Sequence, residues 1–533
     1  MRFRRARPGD PPAPPRPIRG RMLIAALAGA GAVLAFAPFG YWPLQIASLA
    51  VLFYQMLRAN AVKGGFLVGW AYGAAWFGAG MYWLFISMHR YGAMPAPLAA
   101  LAVALLAALM GLYVGLAMAG AAWLRRRWLL PLPLMNLLVL PAAWALQEWC
   151  RGWFFTGLPW VVAGYAHNAS PLAGYAPLLG VYGLGWLAAL SAGALLLLAH
   201  RTRLAAAALV LGTFAAGFAL TQVQWTEPFG RPLSVRLVQG NVPQDQKFNP
   251  ANVEDALRMY HGAVTAAPAN LIATPETAVT LFPHQLPAEY LSSLAQFAVK
   301  SDSHVLLGMP LLERPSQVAN SAVGFAPRDG APTYRYDKHH LVPFGESTPD
   351  GLHWLVAMMA IPLGDMQRGA PVQAPFAVRE QLVLPNICYE DLFGEEIADQ
   401  LAAAHRAGRQ PASILINMSN LAWFGDSTAM PQHLQISQMR SLETGRPMLR
   451  AGNTGGTAVV DGRGAIASAL APHTRATLAA TVQGMGGVTP YILFGNKLIL
   501  AIAALALAGA GLLARRQRRR AGAGPNETQQ PGR

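Results

Sequence analysis

The chain has 533 residues, of which 54% are hydrophobic and only 12% are charged. Soluble domains carry about 25% charged residues, so the composition excludes an ordinary soluble protein and indicates a membrane protein. The net charge of +16 does not indicate a nucleic-acid binder, because residues 233–485 carry a net charge of −4 and the rest of the chain carries +20. The basic excess therefore lies in the tails and short connections of the hydrophobic part, where it is a signal of membrane topology.

Eight hydrophobic segments are close to the roughly 20 residues that a helix needs to cross a bilayer. They are residues 22–39, 41–57, 64–88, 95–123, 129–149, 175–199, 204–222 and 491–514. Basic residues concentrate on alternate connections, beginning with seven arginines that precede the first segment. The positive-inside rule then predicts cytoplasmic termini and an external region between the seventh and eighth segments. The sequence LAFAP near residue 36 resembles a signal-peptide cleavage site, but the seven segments that follow it favour an uncleaved helix.

This topology predicts five parts of the chain. They are a basic cytoplasmic tail (1–21), a seven-helix transmembrane domain (22–222), an external domain (233–485), an eighth transmembrane helix (491–514) and a second basic cytoplasmic tail (515–533). Both tails are of low complexity and are expected to be disordered.

The external domain alternates short apolar runs with helical stretches. The runs are SVRLVQGNV (234–242), NLIATPET (270–277), HVLLGMP (304–310), NSAVGFAP (320–327), LVLPNICYE (382–390), SILINMSN (413–420) and TAVVDGRG (457–464). Helical stretches such as VEDALRMYHGAVTAA and PAEYLSSLAQFAVK lie between some of them. Strands that alternate with helices predict an α/β domain with a layered sheet.

Three polar residues at the predicted strand ends could act together. Glu276 closes NLIATPET, Lys338 lies in YRYDKHHLVPFGE, and Cys388 ends LVLPNIC. A carboxylate can accept a thiol proton, and an ammonium group can stabilise both a thiolate and the oxyanion formed when it attacks a carbonyl. The spacing alone does not decide this, because a cysteine at a strand end is more often a small buried hydrophobe, and a lone Glu or Lys is more often a surface charge.

Three stretches make the pattern specific. TPET, YDKHHLVPFGE and NICYEDLF resemble the signatures of the nitrilase superfamily, whose Glu-Lys-Cys triad sits on a four-layer α-β-β-α sandwich. Together with eight spans, they resemble the apolipoprotein N-acyltransferase family. EWCRGWFFTGLPW (148–160), LVQGNVPQDQKF and WFGDSTAMPQHLQISQMRSLETGRPMLRAGNTG are similar to further stretches of that family, so the resemblance covers nearly the whole chain.

The resemblance implies a role for each residue of the triad. Cys388 would be the nucleophile, Glu276 the general base, and Lys338 the cation beside the oxyanion. A disulfide between Cys388 and Cys150 would consume the nucleophile, so we expect none, and Cys150 is expected to be inert. The family needs no metal or nucleotide cofactor, and GNTGG (452–456) lacks the Lys-Ser/Thr of a phosphate-binding loop.

Supporting residues follow from the same resemblance. Glu346 would orient the lysine and the thiol, while Tyr389 and Glu390 would shape the site, with the Tyr389 backbone N–H joining the oxyanion hole. The chain departs from the family pattern at Phe248, where tryptophan is usual, and at Leu421, where an acidic residue is common. Both departures are expected in loops that handle lipid, so they bear on substrate preference.

Several other residues have two readings. Trp423 and Phe424 are either interfacial belt residues or contacts for acyl chains. His339 and His340 suggest a metal pair, but no further ligand spacing accompanies them, so they are interpreted as loop or packing residues. The Gly- and Pro-rich segment 343–371 is a candidate lid.

The implied activity is acyl transfer from a membrane phospholipid, through a Cys388 thioester, to the α-amino group of a diacylglyceryl-cysteine at a lipoprotein N-terminus. The implied setting is the bacterial cytoplasmic (inner) membrane, with the catalytic domain on the periplasmic side of a monomer that binds no nucleic acid. One alternative is a membrane-tethered amidase that hydrolyses a soluble amide, although a tether needs only one helix. The other is a transporter or structural membrane protein with an inactive enzymatic domain, but a transport path needs ionisable residues, and Glu148 is the only acidic residue in or beside the first seven segments.

Overall fold

The structure is a computed structural model that describes residues 17–59, 61–314, 317–328, 331–348 and 365–522. Most of the basic tail at 1–21, the end of the tail at 515–533 and residues 349–364 of the candidate lid lie outside the described residues.

A helical region precedes the α/β domain, and one long helix follows it. The long helices are α1 (Ile18–Gly31), α2 (Pro43–Ala59), α3 (Val62–Gly80), α4 (Ala96–Trp128), α5 (Leu140–Arg151), α6 (Ala176–Leu196), α7 (Arg203–Leu220) and, after the α/β domain, α12 (Lys497–Gly522). Short helical turns extend or join them at Ala32–Ala35, Leu84–Ile86, Ser87–Tyr91, Leu132–Leu134, Met135–Val139, Phe154–Thr156, Ala163–His167, Pro171–Tyr175, Leu197–Ala199 and Pro490–Phe494. Helix α6 is kinked at Gly180, whose φ of +65° is a backbone conformation that glycine adopts without steric cost.

A helix lies at each of the eight predicted positions. Within the described residues, five helical segments are long and apolar enough to cross a membrane: Ile18–Ala35, Ala96–Trp128, Pro171–Ala199, Arg203–Leu220 and Lys497–Arg519. The prediction of several membrane helices is therefore confirmed, while the count of eight spans and their orientation stay predictions.

Small residues allow helices α3 and α4 of the helical region to approach closely. A Cβ atom at Gly69 of α3 would lie 2.6 Å from the Val114 carbonyl oxygen of α4, and one at Gly73 would lie 2.9 Å from the Gly111 Cα atom. Lipid tails are as apolar as leucine, so membrane helices associate through close packing rather than through hydrophobic burial. The glycines of α3 and α4 provide that packing.

The α/β domain contains two six-stranded sheets within the described residues. The first sheet has the order β13-β2-β3-β4-β5-β6, in which β2, β3 and β4 are parallel. Its strands are β2 (Leu233–Gln239), β3 (Leu271–Ala273), β4 (His304–Arg314), β5 (Gln317–Phe325), β6 (Pro332–Asp337) and β13 (Ala476–Val482). The short strands β1 (Glu227–Pro228) and β14 (Met485–Gly486) pair separately at the entrance and exit of the domain.

The second sheet has the order β12-β11-β10-β9-β8-β7, in which β8, β9 and β10 are parallel. Its strands are β7 (Phe376–Val378), β8 (Gln381–Ile387), β9 (Ile414–Ser419), β10 (Met448–Gly452), β11 (Ala458–Val460) and β12 (Ile466–Ala469). The helices of the domain are α8 (Pro250–Thr265), α9 (Tyr290–Lys300), α10 (Gly394–Arg406) and α11 (Ala429–Thr444), with shorter turns at Gln244–Lys247, Pro283–Gln285, Cys388–Leu392 and Leu421–Phe424.

Three hydrophobic clusters define the layers. Side chains alternate between the two faces of a strand, so each sheet turns one set of apolar residues inward. Leu237 of β2 and Ile416 of β9 thereby belong to a single core between the sheets. Helices α8 and α9 cover the outer face of the first sheet, and α10 covers the outer face of the second. The prediction of a four-layer α-β-β-α sandwich is confirmed for this domain.

Candidate active site

The structure brings Glu276, Lys338 and Cys388 together at one end of the sandwich. Glu276 lies just after β3, Lys338 directly follows β6, and Cys388 directly follows β8. Lys338 and Glu276 come from the first sheet and Cys388 from the second, so the site lies where the ends of the two sheets meet. The strand that Cys388 was predicted to end stops one residue earlier, at Ile387, and Cys388 begins a short 3-10 helix.

Lys338 is held between two carboxylates. Its Nζ atom lies 3.1 Å from Glu276 Oε1 and 2.8 Å from Glu346 Oε1, and its side chain is only 1% exposed. Asn320 Nδ2 donates to the same two oxygen atoms, at 2.8 Å and 3.1 Å. The two carboxylates therefore share both donors, which fixes the ammonium group and both acids relative to one another.

The remaining carboxylate oxygens are also occupied. Asn420 donates its backbone N–H to Glu276 Oε2 at 3.0 Å, and Val342 donates its backbone N–H to Glu346 Oε2 at 2.9 Å. Each acid therefore accepts hydrogen bonds on both oxygens, which fixes the orientation of both carboxylates.

The backbone at Cys388 has a φ of +52°, a conformation that is uncommon for a residue with a side chain. Glu390 stabilises the turn that carries it. Its carboxylate accepts backbone N–H groups from Ile387 at 2.6 Å, His339 at 2.6 Å and His340 at 3.2 Å, together with the Tyr336 hydroxyl at 3.0 Å. One buried acid thus connects the cysteine turn to the lysine loop.

The electrostatics favour a protonated thiol beside a charged acid and a charged lysine. Burial and the Glu276 carboxylate raise the pKa of Cys388, although Lys338 opposes them. Burial would raise the pKa of Glu276, but the charges of Lys338 and Lys247 hold it below its ordinary value. Burial would lower the pKa of Lys338, but Glu276 and Glu346 raise it. A charged carboxylate, that of Glu276, therefore lies near the protonated thiol.

The site contacts the loop that follows α5. The Tyr389 hydroxyl donates to the Gly157 carbonyl oxygen at 2.8 Å, and His340 Nε2 lies 2.8 Å from the Thr156 carbonyl oxygen. The other ring nitrogen of His340 lies 2.7 Å from Glu396 Oε1, and the ring stacks on Phe393. His340 therefore packs between the two parts of the protein, as the loop or packing interpretation predicts.

The other residues singled out in the sequence surround this centre. Phe248 is half-buried and follows the turn Gln244–Lys247, while Trp423 and Phe424 lie in the turn Leu421–Phe424. Phe424 packs edge-on against Trp83, with 4.5 Å between the ring centres, so it contacts the helical region. Leu421 is 2% exposed.

Leu421 is thus an interior residue, and this burial explains why an apolar side chain is tolerated there. Both cysteines are free, and Cys150 lies in α5, far along the chain from the triad. His339 Nδ1 lies 2.8 Å from the Gly369 carbonyl oxygen. Among the described residues, no group of three or more His, Cys, Asp and Glu side chains is placed to hold a metal ion.

Three site residues were not identified from the sequence. Lys247 contacts the backbone of Glu276, and Asn320 and Asn420 donate to its carboxylate. Lys247 lies inside the family-like stretch LVQGNVPQDQKF, and Asn420 ends the predicted strand SILINMSN. The sequence around Lys247 shows no hydrophobic periodicity that would indicate a buried lysine. Its position in a family-like stretch was therefore the only signal for it.

Comparison with known proteins decides the family. A model described as the apolipoprotein N-acyltransferase N-terminal domain matches residues 28–194, and one described as carbon-nitrogen hydrolase matches residues 234–491. A protein from Ralstonia nicotianae, described as apolipoprotein N-acyltransferase, is 49% identical over 504 residues, which are 94% of each chain. The chain belongs to the apolipoprotein N-acyltransferase family.

Further relatives share that description. The apolipoprotein N-acyltransferase of Bordetella bronchiseptica is 42% identical and covers 93% of this chain and 97% of its own. Among solved structures, the NitN amidase from Nesterenkonia sp. AN1 is 19% identical, with a TM-score of 0.34 over 46% of this chain and 91% of the amidase.

Proposed function

We propose that this member of the apolipoprotein N-acyltransferase family transfers an acyl chain from a membrane phospholipid to the N-terminal amine of a lipoprotein. The catalytic domain comprises residues 233–485, which follow a seven-helix domain at 22–222 and precede an eighth span at 491–514. Alternate basic connections support a periplasmic position for this domain in the bacterial inner membrane. The enzyme acts as a monomer.

In the first step, the Cys388 thiol attacks the ester carbonyl of the phospholipid. Glu276 accepts the thiol proton, and Lys338, with the Tyr389 backbone N–H, stabilises the oxyanion. The C–O bond then breaks, a thioester forms on Cys388, and the lysophospholipid leaves with the proton that Glu276 returns to its oxygen.

In the second step, the acceptor is the free α-amino group of a diacylglyceryl-cysteine. Glu276 takes a proton from the amine as its nitrogen attacks the thioester carbonyl. The C–S bond breaks, an amide forms, and the Cys388 thiol is regenerated with that proton. Thioesters react readily with amines, so a site that excludes water favours transfer over hydrolysis.

The observation that carries the proposal is the Tyr389–Gly157 hydrogen bond of 2.8 Å next to the nucleophile turn. It joins the residue after Cys388 to the loop that follows α5 in the helical region. A thiol at this junction can reach an ester group while the acyl tails remain in hydrocarbon. An enzyme for soluble amides has no need of that contact.

Intact-protein mass spectrometry tests the proposal. The purified protein is incubated with a phospholipid that carries two identical acyl chains, without any amine, and a Cys388→Ser variant runs in parallel. We expect the mass to increase by one acyl chain, at Cys388 only, and the adduct to discharge onto a diacylglyceryl-cysteinyl peptide. An adduct that discharges only to water would favour the amidase alternative, and no adduct at all would leave Cys388 without the proposed role.

A further inference from the structure

Lys247 is a buried lysine that the proposed mechanism does not use. It ends the turn Gln244–Lys247, in which Asp245 and Gln246 are exposed, yet Lys247 itself is only 3% exposed. Burying an ammonium group is costly unless it is paired, so a lysine in such a position is expected to have a specific partner.

The hydrogen-bond partners of Lys247 are Glu276 and Thr277, which lie in the turn after β3. Its Nζ atom donates to the Glu276 carbonyl oxygen at 3.0 Å and to Thr277 Oγ1 at 2.8 Å. Thr277 has a φ of +44°, an unfavourable conformation for a β-branched residue. A strained backbone persists only where its surroundings hold it, and the Lys247 ammonium contacts both residues of this turn.

The charge of Lys247 also completes the balance of the site. Glu276 and Glu346 contribute two negative charges, and among the described residues Lys338 is the only cation within hydrogen-bonding distance of either carboxylate. Lys247 is the second positive charge beside Glu276. Burial lowers the pKa of Lys247 to about 8, and the charges of Glu276 and Cys388 oppose that shift. The lysine is therefore charged at neutral pH, when the acid must be ready to accept a proton.

We infer that Lys247 is a positioning residue for the acyl-transfer reaction: it clamps the Glu276–Thr277 turn and supplies the second positive charge that keeps the base ionised. This inference rests on the proposed function. Because Phe248 follows Lys247 directly, the same turn joins the base to a residue that is expected to lie in a loop that handles lipid.

Three variants separate charge from hydrogen bonding. Lys247→Met removes both, Lys247→Gln keeps N–H donors without charge, and Lys247→Arg keeps the charge. The exposed Lys300 on α9 provides the matched control Lys300→Met. For each protein, thioester formation on Cys388 is followed by intact mass at several phospholipid concentrations. The time course yields a rate constant, the fraction of protein that reacts, and the lipid concentration at half-maximal rate.

We expect Lys247→Met and Lys247→Gln to lower the rate constant at saturating lipid by at least about tenfold, because the Glu276–Thr277 turn loses the charged group that holds it and the reaction depends on the alignment of the base. The half-saturating lipid concentration and the reacting fraction should stay near those of wild type. Lys247→Arg should recover most of the rate, and Lys300→Met should match wild type.

Other results would overturn the inference in distinct ways. A smaller reacting fraction with an unchanged rate constant would assign Lys247 to folding alone, as would three Lys247 variants that all fail to fold. If the rate constant of Lys247→Arg is no higher than that of Lys247→Met, the charge of Lys247 has no role. If every variant reacts at the wild-type rate, Lys247 has no role in the reaction. Failure of wild type itself to form a thioester would instead refute the proposed function.

Discussion

Replacement of Glu346 by glutamine is expected to change the stability of the protein, the pKa of Cys388 and the acylation rate, each in a direction that follows from the structure. In wild type, Glu346 Oε1 accepts from Lys338 at 2.8 Å and Asn320 at 3.1 Å, and Oε2 accepts from the Val342 backbone at 2.9 Å. A glutamine has one oxygen, which we expect to face Lys338 and Asn320 because two donors converge there. Its NH₂ group then faces the Val342 N–H, a donor against a donor.

Two magnitudes follow from this geometry. The unpaired Val342 N–H should cost about 1–3 kcal/mol of unfolding free energy. The loss of the Glu346 charge has a separate effect, which acts on the pKa of the Cys388 thiol. The Glu346 carboxylate is one of the groups that raise the pKa of Cys388, so its removal should lower that pKa. A nearby charge shifts a pKa by roughly one unit, or about 1.4 kcal/mol.

Glu346→Gln should therefore make the thiol more reactive towards a small reagent and the enzyme slower. Alkylation of Cys388 by iodoacetamide, followed by intact mass across pH, should show a midpoint about one unit lower than in wild type. Acylation by phospholipid should be about 10- to 100-fold slower, because Lys338 loses a fixed partner and the reacting groups depend on alignment.

The matched control is Glu380→Gln, which removes an exposed carboxylate whose contact with Arg231 is 3.8 Å long. It should leave both the alkylation midpoint and the acylation rate unchanged, since exposed pairs contribute little. An alkylation midpoint for Glu346→Gln that stays in place or moves upward would refute the electrostatic reasoning. If Glu346→Gln and Glu380→Gln shift the alkylation midpoint equally, the shift reflects the net charge of the protein and not the position of Glu346 in the site.

Three further substitutions test the framework around the site. Asp391→Ala leaves the buried Arg450, which lies 2.9 Å from Asp391 Oδ2, without its carboxylate, and should cost about 3–5 kcal/mol in chemical denaturation of the purified protein. Gly69→Val places side-chain atoms where even a Cβ would lie 2.6 Å from a carbonyl oxygen of α4, and should lower stability by about 1–3 kcal/mol in detergent melts. Tyr389→Phe removes the hydrogen bond to Gly157 and should cost about 0.5–1.5 kcal/mol, with slower acylation by phospholipid measured as thioester formation. Wild-type melting by any of these variants would contradict the contact on which its prediction depends.

The membrane helices and the central strands could be predicted from the sequence because each has a strong local signal. An apolar stretch of the length of Ala96–Trp128 has few alternatives to a membrane helix. Buried strands such as Gln381–Ile387 appear as continuous apolar runs between turn residues. The relation between Glu276, Lys338 and Cys388 came only from the family resemblance, since 62 and 50 residues separate them along the chain.

Edge strands and polar contacts were harder to predict. Strand β6 (Pro332–Asp337) is largely exposed and contains Arg335, so its sequence lacks an apolar run. The eighth long hydrophobic segment was predicted to begin at 491, but a separate turn occupies Pro490–Phe494 and α12 begins at Lys497, because Gly495 has a φ of +53° and ends the turn. Hydropathy cannot detect a break that depends on one backbone angle.

Helix α11 was missed for a different reason, which also explains how the two parts of the protein are joined. Its residues are buried nearly all round, yet many of them are polar, because the helix lies between the sandwich and the membrane helices. Gln432 Oε1 accepts from the indole of Trp160 at 2.8 Å, Gln435 Oε1 accepts from the backbone of Ala37 at 3.0 Å, and Glu443 Oε1 accepts from the backbone of Val181 at 2.8 Å.

These polar residues of α11 satisfy backbone and indole groups of the helical region that would otherwise be buried without partners. A domain on a flexible tether could leave the membrane surface, whereas these hydrogen bonds fix the orientation of the sandwich relative to the helices. Under the proposed function, both substrates keep their tails in the membrane and must reach one thiol. A fixed orientation would hold Cys388 where both can reach it, and the polar side chains of α11 provide the hydrogen bonds that fix it.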